Sequence, residues 1–188
     1  GISTSVDGDN VWNPRSTNLP SLRELWDIAF NGSLYVVVGN FNTVLTSPDA
    51  INWTVRLDGT ASGIGNNLGV DFLSVVWTGS QWLVAATGNR VYRSTNGINW
   101  SLAAENVLGG AAGPAIFTLS RSGNRIMAGG TNGFVSVSTD NGTTWVVQQT
   151  GLVIVGGNPA PSLLGSAGTN NRFVAVGDSG TIISSPSI

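Results

Sequence analysis

Asp9, Glu24, Asp27, Asp58, Asp71, Glu105 and Asp178 are carboxylates that stand outside any repeated pattern in this sequence. General acid–base work would need two of them in environments that separate their pKa values, and no pair is brought together by spacing. Asp27 and Asp71, near the starts of strands, are expected to be solvated or to cap turns. Histidine and cysteine are absent. That removes imidazole and thiolate ligands, a cysteine nucleophile and disulfides, so neither a metal site nor a cofactor is expected. The Gly-rich stretches at Gly63 to Gly65, Leu108 to Gly110 and Gly156 to Asn158 lack the lysine and the strand-to-helix setting of a phosphate loop, and read as loops.

The eight basic residues are all arginine, scattered from Arg15 to Arg172, and the net charge is −2. A nucleic acid or an anionic bilayer surface is therefore not expected as a partner. No apolar run approaches the 18 or so residues of a membrane span, so membrane insertion is not expected. Charged residues are 10% of the chain and glycines number 26. That balance suits many short strands joined by tight turns.

One acidic or amide position does recur. Ser5-Val-Asp-Gly-Asp-Asn-Val-Trp12, Ser47-Pro-Asp-Ala-Ile-Asn-Trp53, Ser94-Thr-Asn-Gly-Ile-Asn-Trp100 and Ser138-Thr-Asp-Asn-Gly-Thr-Thr-Trp145 share a serine, an Asp or Asn two residues on, a polar turn and a tryptophan. In this box the side chains of Asp7, Asp49, Asn96 and Asp140 can accept backbone N–H groups of the turn. Gly142 can take a left-handed conformation without steric cost. Trp12, Trp53, Trp100 and Trp145 then anchor the next strand through a large ring. These residues, with Ser47, Ser94 and Ser138, are read as structural.

Upstream of each box runs a strand, an Asn/Gly/Ser turn and a second strand ending near glycine, as in Phe30 to Gly39, Trp77 to Gly88, Asn124 to Gly130 and Asn171 to Gly177. Four short antiparallel strands per repeat of this length make a propeller blade. The expectation is an all-β chain, one β-propeller domain over 1–188 of about four four-stranded blades. The repeats are approximately 1–20, 21–66, 67–112, 113–158 and 159–188, with the first and last together completing one blade. Ile2 to Ser5 and Ile183 to Ser185 both look like a third strand, however, and only one can fill that place. The alternatives to a closed ring are a fraying end, a section of a longer array, or several chains in one larger ring. The segment Ser21 to Asp27 is too short for an independent helix and can equally lead into a strand.

The boxes resemble the Asp-box, or BNR repeat, of sialidases and of many bacterial, phage and viral surface propellers, and the resemblance covers nearly the whole chain. It implies a propeller with Asp-box turns. Sialidase chemistry does not carry over: that family uses three arginines, a tyrosine nucleophile with an acid partner, and six blades. This chain has only Tyr35 and Tyr92, no Arg-Ile-Pro motif near its start and too few residues for six blades, so no catalytic residue is assigned and the chain is not expected to be an enzyme.

In propellers the second-to-third-strand loops and the connections between blades share one face. Here the former hold Asn40, Phe41, Asn42, Asn89, Asn132 and Asp178, the amides, carboxylate and aromatic ring with which a sugar could be held. The expected function is a recognition or adhesion module, binding a cell-surface glycan. The alternative is a structural or decoration component of a phage or virus particle or fibre, with a neighbouring structural protein as partner. By analogy the location is extracellular or on a virion surface, and the chain could act as an oligomer.

Overall fold

The structure, a computed structural model, describes residues 1–6, 8, 11–20, 22–58, 69–110, 113–152, 160–169 and 172–186. A small sheet pairs β1 (Ile2–Thr4) with β2 (Asn13–Arg15). Blade 1 holds β3 (Leu25–Phe30), β4 (Tyr35–Gly39), β5 (Val44–Ser47) and β6 (Thr54–Leu57). Blade 2 holds β7 (Phe72–Trp77), β8 (Trp82–Ala86), β9 (Arg90–Ser94) and β10 (Ser101–Glu105). Blade 3 holds β11 (Ile116–Ser122), β12 (Arg125–Gly130), β13 (Val135–Ser138) and β14 (Val146–Gln148). Blade 4 has three strands, β15 (Leu163–Gly168), β16 (Phe173–Gly177) and β17 (Ile182–Ser184). Each blade is an antiparallel meander, and together they form the all-β propeller that the repeat predicts.

Strand identity follows local composition. Val36 to Val38 and Leu83 to Ala86 are continuous apolar runs because both faces of a second strand are covered by neighbouring blades. Between blades 1 and 2, Val36, Val38 and Val44 meet Phe72, Val84 and Tyr92. Between blades 2 and 3, Leu83, Ala85 and Val91 meet Ile116, Leu119 and Ile126. Between blades 3 and 4, Met127, Val135 and Val137 meet Leu163, Phe173 and Ala175. The small sheet lies on the other side of blade 1, where Ile2 and Leu19 pack with Val37, Leu45 and Trp53.

Each first strand carries a bulge opposite the end of the second strand, after Leu25, Phe72, Ile116 and Leu163. The bulged chain presses close to its neighbour, so that a Cβ at Gly39, Gly130 or Gly177 would collide with the carbonyl oxygen of Glu24, Ala115 or Ser162. This explains the glycine at the end of three second strands. Past the bulge, the second ladder residue of the first strand in blades 1, 2 and 3 turns toward the next blade. Asp27 Oδ2 accepts the Ser74 hydroxyl and the Val75 N–H, both at 2.8 Å, and Ser74 Oγ accepts the Leu119 N–H at 3.1 Å.

The segment before blade 1 leads into a strand at Leu25, one of the two readings its length allowed, with Ser21 outside the described residues. One expectation is changed. The first and last repeats do not complete one blade: β1 pairs with β2, β17 pairs with β16, and among the described residues no ladder joins the two sheets. The reason is competition for one place, since β16 has a single edge for a third strand and β17 occupies it. The first strands pack in succession, β3 on β7, β7 on β11 and β11 on β15, and β15 does not pack on β3 in the same way.

Candidate functional site

The box turns are built as their residue types require. Ser138 donates to Asp140 Oδ1 at 2.8 Å, and the same oxygen accepts the N–H groups of Thr143 at 3.1 Å and Thr144 at 2.8 Å. In the box at Ser47, Asp49 Oδ1 accepts the Ile51 N–H at 2.9 Å and the Asn52 N–H at 2.8 Å. Asn96 Oδ1 takes the Ile98 and Asn99 N–H groups, both at 2.9 Å, in the next. Each indole N–H then closes the turn on a carbonyl: Trp53 on Ala50 at 3.0 Å, Trp100 on Gly97 at 3.3 Å and Trp145 on Gly142 at 3.1 Å. Asp7 lies outside the described residues. Donated hydrogen bonds favour the ionised carboxylate. The Thr144 hydroxyl and N–H hold Asp140 down at about 2, and the Asn52 N–H and amide hold Asp49 well below the usual carboxylate range.

The four second-to-third-strand turns share one backbone form, with two consecutive residues at positive φ. These are Phe41 (50°) and Asn42 (58°), Gly88 (75°) and Asn89 (60°), Asn132 (56°) and Gly133 (70°), and Ser179 (56°) and Gly180 (70°). Such turns match the twist of a hairpin, and asparagine and glycine are the residues that tolerate them. The recurrence of amides in these loops thus has a conformational cause.

Most of the six residues expected to meet a ligand are engaged within the fold. Asn40 Oδ1 accepts the Glu24 N–H at 2.9 Å, and its Nδ2 donates to Leu22 O at 3.2 Å. Asp178 Oδ2 takes the corresponding N–H of Ser162 at 3.2 Å. Asn89 is fully buried, accepting the Leu108 N–H at 2.7 Å and donating to Gly109 O at 3.3 Å. Asn42 is buried, with its backbone N–H on Val70 O at 2.8 Å. Asn40, Asn42 and Asn89 therefore do not present their amides to solvent, a correction to the expected site. Phe41, Asn132 and Asp178 remain exposed.

Phe41 is held firmly although 45% exposed. Its N–H donates to Asp71 Oδ1 at 3.0 Å, and the Arg23 guanidinium lies 4.7 Å from its ring centroid. Arg23 is itself fixed, donating through Nε and Nη2 to Asp58 O at 2.9 and 2.5 Å. The result is an ordered aromatic–cation spot on the face shared by the turn and the connection between blades 1 and 2. Arg23 carried no signal in the sequence, because its partner carbonyl is 35 residues away. Much of the long connections, at residues 59–68, 111–112 and 153–159, lies outside the described residues.

No protein-family model matches the chain, and no curated protein matches it. Among solved structures it is similar to YCF48 from Cyanidioschyzon merolae, with a TM-score of 0.63 and 19% identity over 91% of this chain and 55% of that one. It is similar to the β-propeller domain of Cps50 (Swd1) from Myceliophteria thermophila, with a TM-score of 0.63 and 10% identity over 99% of this chain and 62% of that one. The computationally designed protein Ika8 gives a TM-score of 0.58 and 15% identity over 85% of this chain and 45% of that one. The chain thus spans roughly half the length of these three. At such identities the likeness shows the fold alone.

Proposed function

We propose that the chain is a non-catalytic recognition module that uses the turn face of its blades to hold a partner presented on a surface, with a glycan as the favoured ligand class. The Phe41–Arg23 spot is the observation that supports this reading. An exposed ring fixed at its backbone loses little entropy when a sugar stacks on it, and the guanidinium edge offers donors to hydroxyl groups. The box carboxylates and most loop amides are committed to turns, which leaves them no part in acid–base chemistry. A single shallow site of this kind gives on the order of millimolar affinity, so adhesion would depend on several chains acting together.

The test is a glycan array probed with a multivalent form of the chain, beside the Phe41→Ala and Asn132→Ala variants. Binding that is lost with Phe41→Ala while the far-ultraviolet spectrum is unchanged supports the reading. A blank array, or binding indifferent to Phe41, removes it, and turnover of a sialoside would remove the non-catalytic reading as well. A second reading, a structural component of a particle or fibre, is favoured by a different observation: large apolar side chains lie exposed at both ends of the row of blades.

A further inference from the structure

Positions that blades bury against one another inside the row are exposed at its two ends. Ile28 on β3 occupies the ladder place of Val75 on β7, yet Ile28 is 51% exposed and Val75 is 5% exposed. At the other end, Ile182 on β17 precedes Ser185 as Val91 on β9 precedes Ser94, and it is 73% exposed where Val91 is fully covered. Val176 on β16, the counterpart of the buried Val38 and Ala85, is exposed beside it. The two ends are the two halves of one blade-to-blade interface.

A cleft of roughly 330 Å³ between blades 3 and 4 adds an independent sign. It is lined by Met127, Val135 and Val137 from one side and by Phe173, Ala175 and Ile183 from the other. Between blades 1 and 2 the corresponding space is filled by Trp100, and between blades 2 and 3 by Trp145, each from the box of the later blade. Blade 4 has its box serine place at Ser185, but its described residues contain no box tryptophan. Of the other two box tryptophans, Trp53 is buried with Val37 and Leu45, and Trp12 is 61% exposed, against 7% for Trp100.

We infer that two copies of this chain associate head to tail, each giving its β1–β2 sheet and Trp12 to the last blade of the other and laying its Ile28 face against the other's Val176. The complementarity is one of parts: among the described residues blade 4 has first, second and third strands without a fourth, and the small sheet has third and fourth strands without a first or second. With both ends of both copies matched, the assembly closes as a two-chain ring and stops growing. In the composite blade, β1 of one copy and β17 of the other compete for the place beside β16, so one of them is displaced. This association stands apart from the ligand reading above, since it uses the ends of the row and not its turn face.

Sedimentation velocity over a range of concentrations tests it. The expected species has twice the 19.4 kDa chain mass. Ile28→Asp and Val176→Asp, both at exposed positions, are each expected to give monomers with an unchanged far-ultraviolet spectrum, and Trp12→Ala to weaken association at least tenfold. Mixing the two Asp variants restores one intact junction per pair, so a heterodimer is expected. A wild-type monomer at about 100 µM, a dimer that survives either Asp substitution, or open-ended polymers would each overturn the inference. So would two Asp variants that stay monomeric when mixed.

Discussion

The Thr144 hydroxyl donates to Asp140 Oδ2 at 2.6 Å, while the other oxygen of the same carboxylate holds the Ser138 hydroxyl and two backbone N–H groups. One side chain thus organises the whole reversal between β13 and β14. Asp140→Ala is expected to lower stability by about 1–2 kcal/mol, the scale of a lost cap with its hydrogen bonds. Urea denaturation measures this, and the variant should bind and associate as the wild type does.

The same carboxylates set an acid limit. Asp140, held at about 2, and Asp49, held lower, have folded values beneath the ordinary carboxylate range. Their contribution is fully present above the unfolded value of about 4 and is lost as pH falls through the folded value. The melting temperature should therefore drop between about pH 4 and pH 2, and less steeply in an Asp49→Asn, Asp140→Asn variant. Equal slopes in the two proteins would show that other groups control the acid transition.

Asn89 and Asn132 share a left-handed turn conformation but not a role. Asn89→Ala removes two buried side-chain hydrogen bonds and places alanine at a φ of 60°, so a loss of about 2–4 kcal/mol is expected. Asn132 makes no side-chain hydrogen bond among the described residues, and Asn132→Gly should change the unfolding free energy by no more than about 0.5 kcal/mol. If both substitutions had the same effect, the turn backbone alone would account for the asparagines.

Gly142→Ala is expected to be damaging for two reasons. Its φ is 85°, and a Cβ there would run into the Leu83 side chain of blade 2. A loss of roughly 1–3 kcal/mol follows from strain and overpacking together. Thermal unfolding followed by tryptophan fluorescence will register it.

The propeller was legible because Ser, Asp or Asn, and Trp recur in register, and three of the four boxes have the hydrogen bonds their side chains can make. The turn amides misled for a physical reason. Asparagine suits both a left-handed backbone and a sugar hydroxyl, and only burial separates the two uses, as Asn89 and Asn132 show. Closure was not legible either, since Ile2 to Thr4 and Ile182 to Ser184 are both short runs of isoleucine and hydroxyl residues and both form strands. Nothing in a one-dimensional pattern says which of them β16 accepts. Trp26, Ile28 and Phe30 alternate along β3 and are all exposed, but an uncovered face can be recognised only when the neighbour meant to cover it has been located.

Trp100 and Trp145 each lie between their own blade and the one before it, as Trp100 does against Val36 and Val44. A ring of that size removes about 150–250 Å² from water, which is worth roughly 4–6 kcal/mol at the usual coefficient. On a ribosome this gives folding a direction: blade 1 is sealed only when the box of blade 2 has emerged, and blade 2 only with the box of blade 3. Blades 1 and 2 each wait for a successor before their later faces are sealed.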